Sequence, residues 1–481
     1  MKNITIRDIL RVTDGTPVFL AASEEAGDEE DIRESCLSRE VKDISIDSRK
    51  IEPGDLFVPL LGENVDPNKF IPNVFPYAAA SLTDWETDRI YPDPEQKAAA
   101  VLRGDLLIRV ENTQTALEKI GAYIRTQYEP TVVGVTGSVG KTTTRRMIAT
   151  ALGSDRVVYE TPGNLNSKIG IPITTSRMLD VPSEVAVLEM GIDRIGEMDI
   201  EYSIVRPEIA VVTMIGVSHI EYLGSKEGIR TEKLKIAGPD TVLFLNKDDP
   251  MLAELKGYSG AKEIWYYGIS SEADYHAEDL TLGNDGYAFT FVHGDLRVPV
   301  ALPVLGRHNV RNAVVALAIC DYLGLDVQKA AEALGSFSGL RQLVNRRGDG
   351  AVIINDAYNA SPDSMKAALE VLTDFQTEGR RIAVLGDMFE LGPEEERFHR
   401  EVGEQFAAYE VDQLVTVGPL ACALAREAVK ARPGMEWLSF TDIEKAAEYL
   451  KENVTSGDTV IFKASHGMHF EKLAEDVLDN F

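Results

Sequence analysis

The chain is poor in cysteine. Cys36, Cys320 and Cys422 are the three cysteines among 481 residues. They are odd in number and far apart, which excludes a disulfide framework or a zinc site and fits a reducing compartment. Positive charge is also scarce: 49 Lys and Arg against 78 Asp and Glu leave a net charge of −29. A general nucleic-acid or anionic-membrane binder draws its affinity from clustered Lys and Arg, so both classes are excluded. An anionic substrate would need positive charge supplied locally. No apolar run approaches bilayer length; the longest, near Ile209 to Val217, has the length of a core strand. The first residues lack the cationic, apolar and small-residue pattern of a signal peptide, so the expected location is cytoplasmic. There are no internal repeats and no low-complexity linkers. Apolar and charged fractions are ordinary for a soluble globular protein, and the length allows roughly two to four domains.

Against these absences stands one glycine-rich stretch, Gly134-Val135-Thr136-Gly137-Ser138-Val139-Gly140-Lys141-Thr142-Thr143. Thr131-Val132-Val133 before it reads as a buried strand, and Arg145 to Leu152 after it as a helix. In such a strand–loop–helix unit, backbone N–H groups and the helix N-terminus cradle phosphates. Lys141 would reach the terminal phosphates and Thr142 would hold Mg2+. The usual spacing would put glycine at 135, where this chain has valine; Gly137 stands three before Gly140 instead.

The expected class is α/β, with a smaller N-terminal α/β domain (1–107), a central nucleotide-binding domain with a parallel-rich sheet (108–335) and a C-terminal Rossmann-like domain (336–481). In the first, Ile6 to Val12 reads as a helix, Ser23 to Glu34 as an acidic solvated loop, and Ile44 to Ile46 and Leu56 to Leu60 as strands. Thr113 to Gln127 reads as a connecting helix. Val185 to Leu188, Ala210 to Thr213 and Val242 to Leu245 are apolar runs, as doubly covered parallel strands should be. Asp274 to Val300 alternates like an antiparallel insertion, and Asn309 to Leu323 reads as a helix. Val352 to Asn355, Ile382 to Leu385, Gln413 to Val417 and Thr459 to Phe462 read as the strands of the third block. The run Glu394 to Arg397 reads as a solvated helix face.

Glu189 closes a strand, where ligands of open α/β sheets bind, and is placed to hold Mg2+. His219 follows another strand end. Lys233, on a helix from Lys226 to Ile236, reads as a surface lysine from local pattern alone; the alternative is a buried neutral lysine that takes up CO2 and becomes an anionic carbamate ligand. Asn246-Lys247-Asp248-Asp249 matches the guanine-reading pattern of GTPases, and Asp193-Arg194-Ile195-Gly196 fits their Asp-x-x-Gly. A regulatory GTPase is therefore the rival from another class, although its loop spacing fails here; a binding protein with a degenerate nucleotide site is a third reading. Gly163-Asn164-Leu165-Asn166, Gly306-Arg307-His308-Asn309 with Asn312, and Asp356 to Ser364 are polar clusters that also fit plain turns and caps.

Taken in order, these clusters resemble the Mur ligase family. The resemblance rests on Thr-Gly-Ser-x-Gly-Lys-Thr-Thr, Gly-Asn-x-Asn, Glu-Met-Gly, Ser-His-Ile-Glu followed by Lys233, and His-Asn-x-x-Asn, and it runs from about Asp47 to Met468. Asp356 to Ser364 and Val384 to Gly392 most resemble the members that add D-alanyl-D-alanine to UDP-N-acetylmuramoyl-tripeptide, the last cytoplasmic peptide addition in peptidoglycan synthesis. Another amino-acid or peptide acceptor is the alternative within the family. The family places its loop glycine where Gly137 stands, so Val135 is no defect.

The resemblance implies ATP-driven amide formation through an acyl phosphate, with Lys141, Glu189, His219, Lys233 and Arg341 as catalytic residues. ATP would be held by Gly137, Ser138, Val139, Gly140, Lys141, Thr142 and Thr143, with Asn309, Asn312, Asp356 and Tyr358. Thr142 and Glu189 would hold one Mg2+; His219 and carbamylated Lys233 would hold a second. Arg341 would arrive from a mobile C-terminal domain towards the γ-phosphate. Ser48 and Arg49 resemble uridine-diphosphate contacts, Asn164 and Asn166 substrate contacts, and Asn359 and Ser364 dipeptide-side positions. The implied partners are small molecules, with neither nucleic acid nor membrane insertion, and a monomer is expected. Two runs depart from the family: Asp66-Pro67-Asn68-Lys69-Phe70 lacks a Gly-His pair, and Lys463-Ala464-Ser465-His466 replaces a commoner Lys-Gly-Ser-Arg.

Overall fold

The computed structural model describes residues 1–20, 29–62, 64–75, 77–255, 257–283, 286–339 and 343–479. The chain divides into two compact units. One holds Met1–Gly134, Val157–Gly191 and Glu197–Pro207; the other holds Val135–Arg156, Ile192–Gly196 and Glu208–Phe481.

The first unit contains β1 (Thr16–Phe19), β2 (Ile44–Ser45), β3 (Leu56–Phe57), β4 (Ala80–Thr83) and β5 (Leu106–Arg109), ordered β1-β5-β4-β3-β2. β1 runs antiparallel to β5 and the other pairs are parallel. Side chains alternate between faces along a strand. Leu56 and Ile108 therefore join Leu117, Ile120 and Ile124 of the helix Thr113–Thr126, while Phe57 and Leu107 join Ile71, Val74 and Ile90 on the other face. The sequence reading of 23–34 as a loop needs correction. Residues 21–28 lie outside the described part, but Glu29–Leu37 is a helix. Cys36 and Leu37 pack against the core of this unit, which supplies the apolar contact that the acidic composition hides.

The central strands are β6 (Thr131–Thr136), β7 (Val158–Glu160), β8 (Val185–Glu189), β9 (Ile209–Val212), β10 (Val242–Asn246) and β11 (Glu263–Tyr267), in one sheet ordered β11-β10-β9-β6-β8-β7. The pairs β7–β8, β9–β10 and β10–β11 are parallel. β8, β9 and β10 are buried throughout, as their unbroken apolar runs require. The second unit continues with an antiparallel sheet of β12 (His276–Leu282), β13 (Tyr287–His293) and β14 (Leu296–Leu302). Its last sheet comprises β15 (Leu343–Arg346), β16 (Val352–Asn355), β17 (Arg381–Gly386), β18 (Gln413–Val417), β19 (Glu436–Phe440) and β20 (Thr459–Lys463), ordered β15-β16-β20-β17-β18-β19. β15 is an antiparallel edge; the others are parallel. Ile354, Ala383, Leu385, Leu414 and Ile461 face one set of helices, and Ile353, Ile382, Val384, Val415 and Val460 the other. That is the doubly wound architecture the apolar runs predict.

The loop after β17 is held from below by a buried histidine. His399, 0% exposed, accepts the Met388 N–H on Nε2 at 2.9 Å, so its proton sits on Nδ1, which donates to the Glu395 carbonyl at 2.7 Å. Burial holds its pKa below the ordinary histidine value. Below about pH 6.5 the unfolded chain then binds a proton that the native chain refuses, so stability falls as pH drops. We expect His399→Gln to lose less stability than the wild type between about pH 6.5 and 5, by up to about 1.4 kcal/mol per pH unit. Urea unfolding at several pH values measures this; parallel profiles for the two proteins would refute it.

Candidate functional site

The phosphate loop begins one residue after a buried strand position, not inside it. Val135 is 0% exposed and belongs to β6. The loop proper starts at Gly137, where φ is +151° and a Cβ atom would lie 1.8 Å from Thr213 Oγ1. Only glycine fits there. Gly140 also has positive φ, at +89°, and caps the helix Lys141–Leu152, which starts four residues before the sequence expectation. The loop is stitched to the segment after β9: Ser138 N–H donates to the Met214 carbonyl at 2.9 Å, and Thr213 Oγ1 donates to the Val139 carbonyl at 2.6 Å. Lys141 Nζ donates to the Gly137 carbonyl at 2.9 Å, folded back over the loop. Thr142 and Thr143 occupy the first helical turn.

The same segment after β9 is braced by the two residues that suggested a guanine reader. Asn246 Nδ2 donates to the Thr213 carbonyl at 2.9 Å, and its Oδ1 accepts the Asp248 N–H. The Asp249 carboxylate accepts the Ile215 N–H at 2.6 Å and the Met251 N–H at 2.7 Å. Both side chains are committed to backbone groups, which removes the base-reading function the GTPase reading needs.

His219 follows, with φ +60°, ahead of the short helix Ile220–Leu223. Its Nδ1 lies 3.1 Å from Glu390 Oε2 and its Nε2 lies 3.4 Å from Asp193 Oδ1. Burial, followed by the nearby charges of Lys141 and Lys233, lowers its pKa, against the opposing pull of Asp193 and Glu390. The second unit thus gathers Lys141, His219 and Lys233 into one electrostatic neighbourhood. Lys233 is 1% exposed, which corrects the surface-lysine reading. On its helix, Lys226–Leu234, it shares the buried face of Ile229, four residues earlier.

Asn309 and Asn312 are buried in a relay. Thr144 Oγ1 donates to Asn312 Oδ1 at 2.9 Å, Asn312 Nδ2 to Asn309 Oδ1 at 3.1 Å, and Asn309 Nδ2 to the Leu305 carbonyl at 2.7 Å. The helix Arg307–Tyr322 is thereby fixed to the phosphate-loop helix. In the C-terminal sheet, Lys463 Nζ reaches Asp356 Oδ2 at 3.0 Å and the carbonyls of Asp356 and Asn359. Tyr358 is half exposed and lies against His466, ring centroids 6.0 Å apart. Asn359 Oδ1 accepts the Ala360 N–H, and Ser364 completes a capping box with Ser361. Arg341 lies outside the described residues.

In the first unit, Glu189 ends β8. Its N–H donates to Thr161 Oγ1 at 2.8 Å, and Asn166 Nδ2 donates to its Oε1 at 2.7 Å. The Asn166 carbonyl accepts the Gly191 N–H and the Asn164 carbonyl accepts the Asn166 N–H, so the Gly-Asn-x-Asn turn orients the carboxylate. Ser48 is partly buried in a turn. Arg49 is exposed and makes a forked pair with Asp47, Nε to Oδ1 and Nη2 to Oδ2 both at 2.8 Å, which pulls the Asp47 carboxyl down to about 2. In the run without Gly-His, Asn68 closes the loop itself: Nδ2 donates to Asp66 and Asp84 at 2.9 and 2.8 Å, and Oδ1 accepts from Thr83 Oγ1. Among the described residues no three His, Cys, Asp or Glu side chains converge on a metal position.

Residues 135–320 match the Mur ligase middle domain, and residues 341–466 match the Mur ligase, glutamate ligase domain. The chain belongs to the Mur ligase family. Among relatives of this Mur ligase, the UDP-N-acetylmuramoyl-tripeptide--D-alanyl-D-alanine ligase of Bacillus subtilis is 37% identical over 91% of this chain and 93% of its own length. The Escherichia coli protein of the same name is 31% identical over 79% of this chain and 82% of its own. A MurF crystal structure from Acinetobacter baumannii superposes with a TM-score of 0.84 at 27% identity, covering 99% of this chain and 98% of that one. MurF from Thermotoga maritima in complex with ADP superposes with a TM-score of 0.78 at 26% identity, over 92% and 98%. The three-domain α/β architecture of the Mur ligase is thus established.

Sequence reasoning did not single out Thr213, which bonds the loop, or Glu390, which reaches His219. Thr213 carries no motif signal. Glu390 stood inside a quoted family run without a role. The amide relay generates an expectation: Asn312→Ala leaves the Thr144 hydroxyl and Asn309 Oδ1 without partners. Stability should fall by about 1–3 kcal/mol, and Thr144→Val in addition should recover part of it. Urea-unfolding midpoints check both; a neutral single substitution would contradict the relay.

Proposed function

We propose that this Mur ligase joins D-alanyl-D-alanine to UDP-N-acetylmuramoyl-tripeptide at the expense of ATP, in the cytoplasmic stage of peptidoglycan precursor synthesis. The observation that carries the reading is the near full-length similarity to relatives of that name, joined to a phosphate loop built around Gly137.

A carboxylate oxygen of the tripeptide attacks the γ-phosphorus and the bond to the bridging β,γ-oxygen breaks, giving an acyl phosphate and ADP. The amine of D-alanyl-D-alanine adds to the acyl carbon, a proton leaves the nitrogen, and the tetrahedral intermediate expels phosphate. Two anions meet in the first step. Lys141 and the loop N–H groups stabilise the charge that builds on the phosphoryl oxygens. Arg341 is assigned to the γ-phosphate and Asn309, Asn312, Asp356 and Tyr358 to the nucleotide. Ser48, Arg49, Asn164 and Asn166 are assigned to the UDP-substrate, and Asn359 and Ser364 to the dipeptide.

The oxygen donors available suit magnesium: the Thr142 hydroxyl, the Glu189 carboxylate and, once formed, a carbamate on Lys233. Thr142 and Glu189 would hold one ion, and His219 with Lys233 as its CO2-derived carbamate would hold a second. Bound there, magnesium would supply charge that offsets that of the phosphates. Lys233 supports this reading because it is buried and its charge reaches His219, the other residue assigned to that ion.

Phosphate release from ATP should require both UDP-N-acetylmuramoyl-tripeptide and D-alanyl-D-alanine, with the amide product detected by mass spectrometry. Release that ignores the dipeptide, or that prefers GTP, would sink the reading. Lys233→Ala should lower kcat on the order of 10²–10³-fold, the size of loss that follows removal of one charge-stabilising group. Excess bicarbonate should not restore it, and the carbamate resonance from 13C-labelled CO2 should vanish. Near-normal turnover would rule out the carbamate.

A further inference from the structure

His219 and Glu390 are two of seven described non-glycine residues with positive φ, at +60° and +61°, and their side chains meet. Such backbone is costly and persists where the surroundings over-determine it. The loop bearing Glu390 is over-determined. Asp387 Oδ1 accepts the Ala421 N–H at 2.7 Å, the Met388 N–H is taken by His399, and the Phe389 N–H donates to Ser465 Oγ at 2.8 Å. A Cβ on Gly392 would lie 3.2 Å from Glu221 Cβ, so the far end of this loop rests on the helix that follows His219. The C-terminal sheet therefore presents one carboxylate, on a clamped loop, to one imidazole of the central fold.

A histidine that ligates a cation through one ring nitrogen keeps its proton on the other. Glu390 at 3.1 Å is the nearer acceptor, which places the proton on Nδ1 and the lone pair on Nε2. That lone pair points to the side of Asp193 Oδ1, 3.4 Å away. We propose that Glu390 is a positioning residue: docking of the Gly386–Gly392 loop fixes the Nδ1–H tautomer of His219 and turns Nε2 towards the cation site. Binding of the second ion and docking of the C-terminal domain are then one event, and the cation site is complete only when the chain is closed over its nucleotide. This rests on the reading of His219 as a metal ligand, and the experiment separates the two.

The probe is Mn2+, titrated into the full-length ADP-bound protein and followed by electron paramagnetic resonance, with pulsed measurement of the coordinated imidazole nitrogen. Wild type, Glu390→Ala, Glu390→Gln and His219→Ala are compared. Outer partners of a ligating histidine are worth about 10–100-fold in metal affinity. Glu390→Ala should therefore weaken the nitrogen-coupled Mn2+ at least tenfold. Glu390→Gln should stay within about threefold, because its amide oxygen accepts the same N–H. Glu390→Gly, which the positive φ tolerates, gives a second removal should the alanine variant misfold. Small-angle scattering should show the removal variants staying open when Mn2+ and ADP close the wild type. Loss of nitrogen coupling in His219→Ala with unchanged Mn2+ binding in the Glu390 removals overturns the positioning role alone. Unchanged coupling in His219→Ala overturns the ligand reading and this inference with it.

Discussion

The absence of a side chain at Gly137 is the constraint on which the active region depends. Thr213 Oγ1 occupies the space where a Cβ would be, and the same hydroxyl bonds the Val139 carbonyl. The phosphate loop can pass that close only as backbone, so its curvature is set against the segment after β9. That segment is in turn tied by Asn246 and Asp249, whose side chains satisfy Thr213, Ile215 and Met251. His219 lies a few residues further along the same path. A substitution at Gly137 would therefore shift the loop's backbone amides and, through Thr213, the approach to His219. At Gly216 a Cβ would lie 2.3 Å from Asp363 Oδ2, so the C-terminal block also touches this path.

A chain with a net charge of −29 must still bring a carboxylate to a triphosphate. The structure concentrates cations rather than spreading them. Burial lowers the His219 pKa first, and the charges of Lys141 and Lys233 add to it. Two lysines in one place repel each other in a low-dielectric setting. The arrangement holds because Asp193 and Glu390 flank the imidazole. Local charge, then, and not the overall balance, governs what this surface can bind.

Much of the fold could be read from the chain. The buried parallel strands are unbroken apolar runs, and β12 to β14 alternate as an antiparallel sheet should. The failures have identifiable causes. Glu29–Leu37 is acidic in composition, and its helical state draws on Cys36 and Leu37 meeting a core built from distant residues. β4, β5 and β7 are short, and their pairing partners rather than their composition make them strands. Lys233 looked like a surface lysine because a single charged letter outweighed its spacing from Ile229, which places it on the buried face. Asn309 and Asn312 were read as nucleotide contacts, but nothing in their spacing reveals that Thr144, far away in the chain, completes their hydrogen bonds.

The Gly-Asn-x-Asn turn shows how one residue can carry two assignments. Resemblance gives Asn166 to the substrate, yet its amide donates to Glu189 Oε1 at 2.7 Å while its carbonyl accepts from Gly191. A carboxylate at the end of a buried strand, 2% exposed, needs its orientation fixed before it can serve a cation or a substrate. The N–H of Glu189 is anchored to Thr161, and the amide of Asn166 holds one oxygen of its carboxylate. Substrate binding that displaced the amide would turn Glu189 at the same moment. In the ligase reaction proposed above, the turn would then link the peptide side to the carboxylate through one amide.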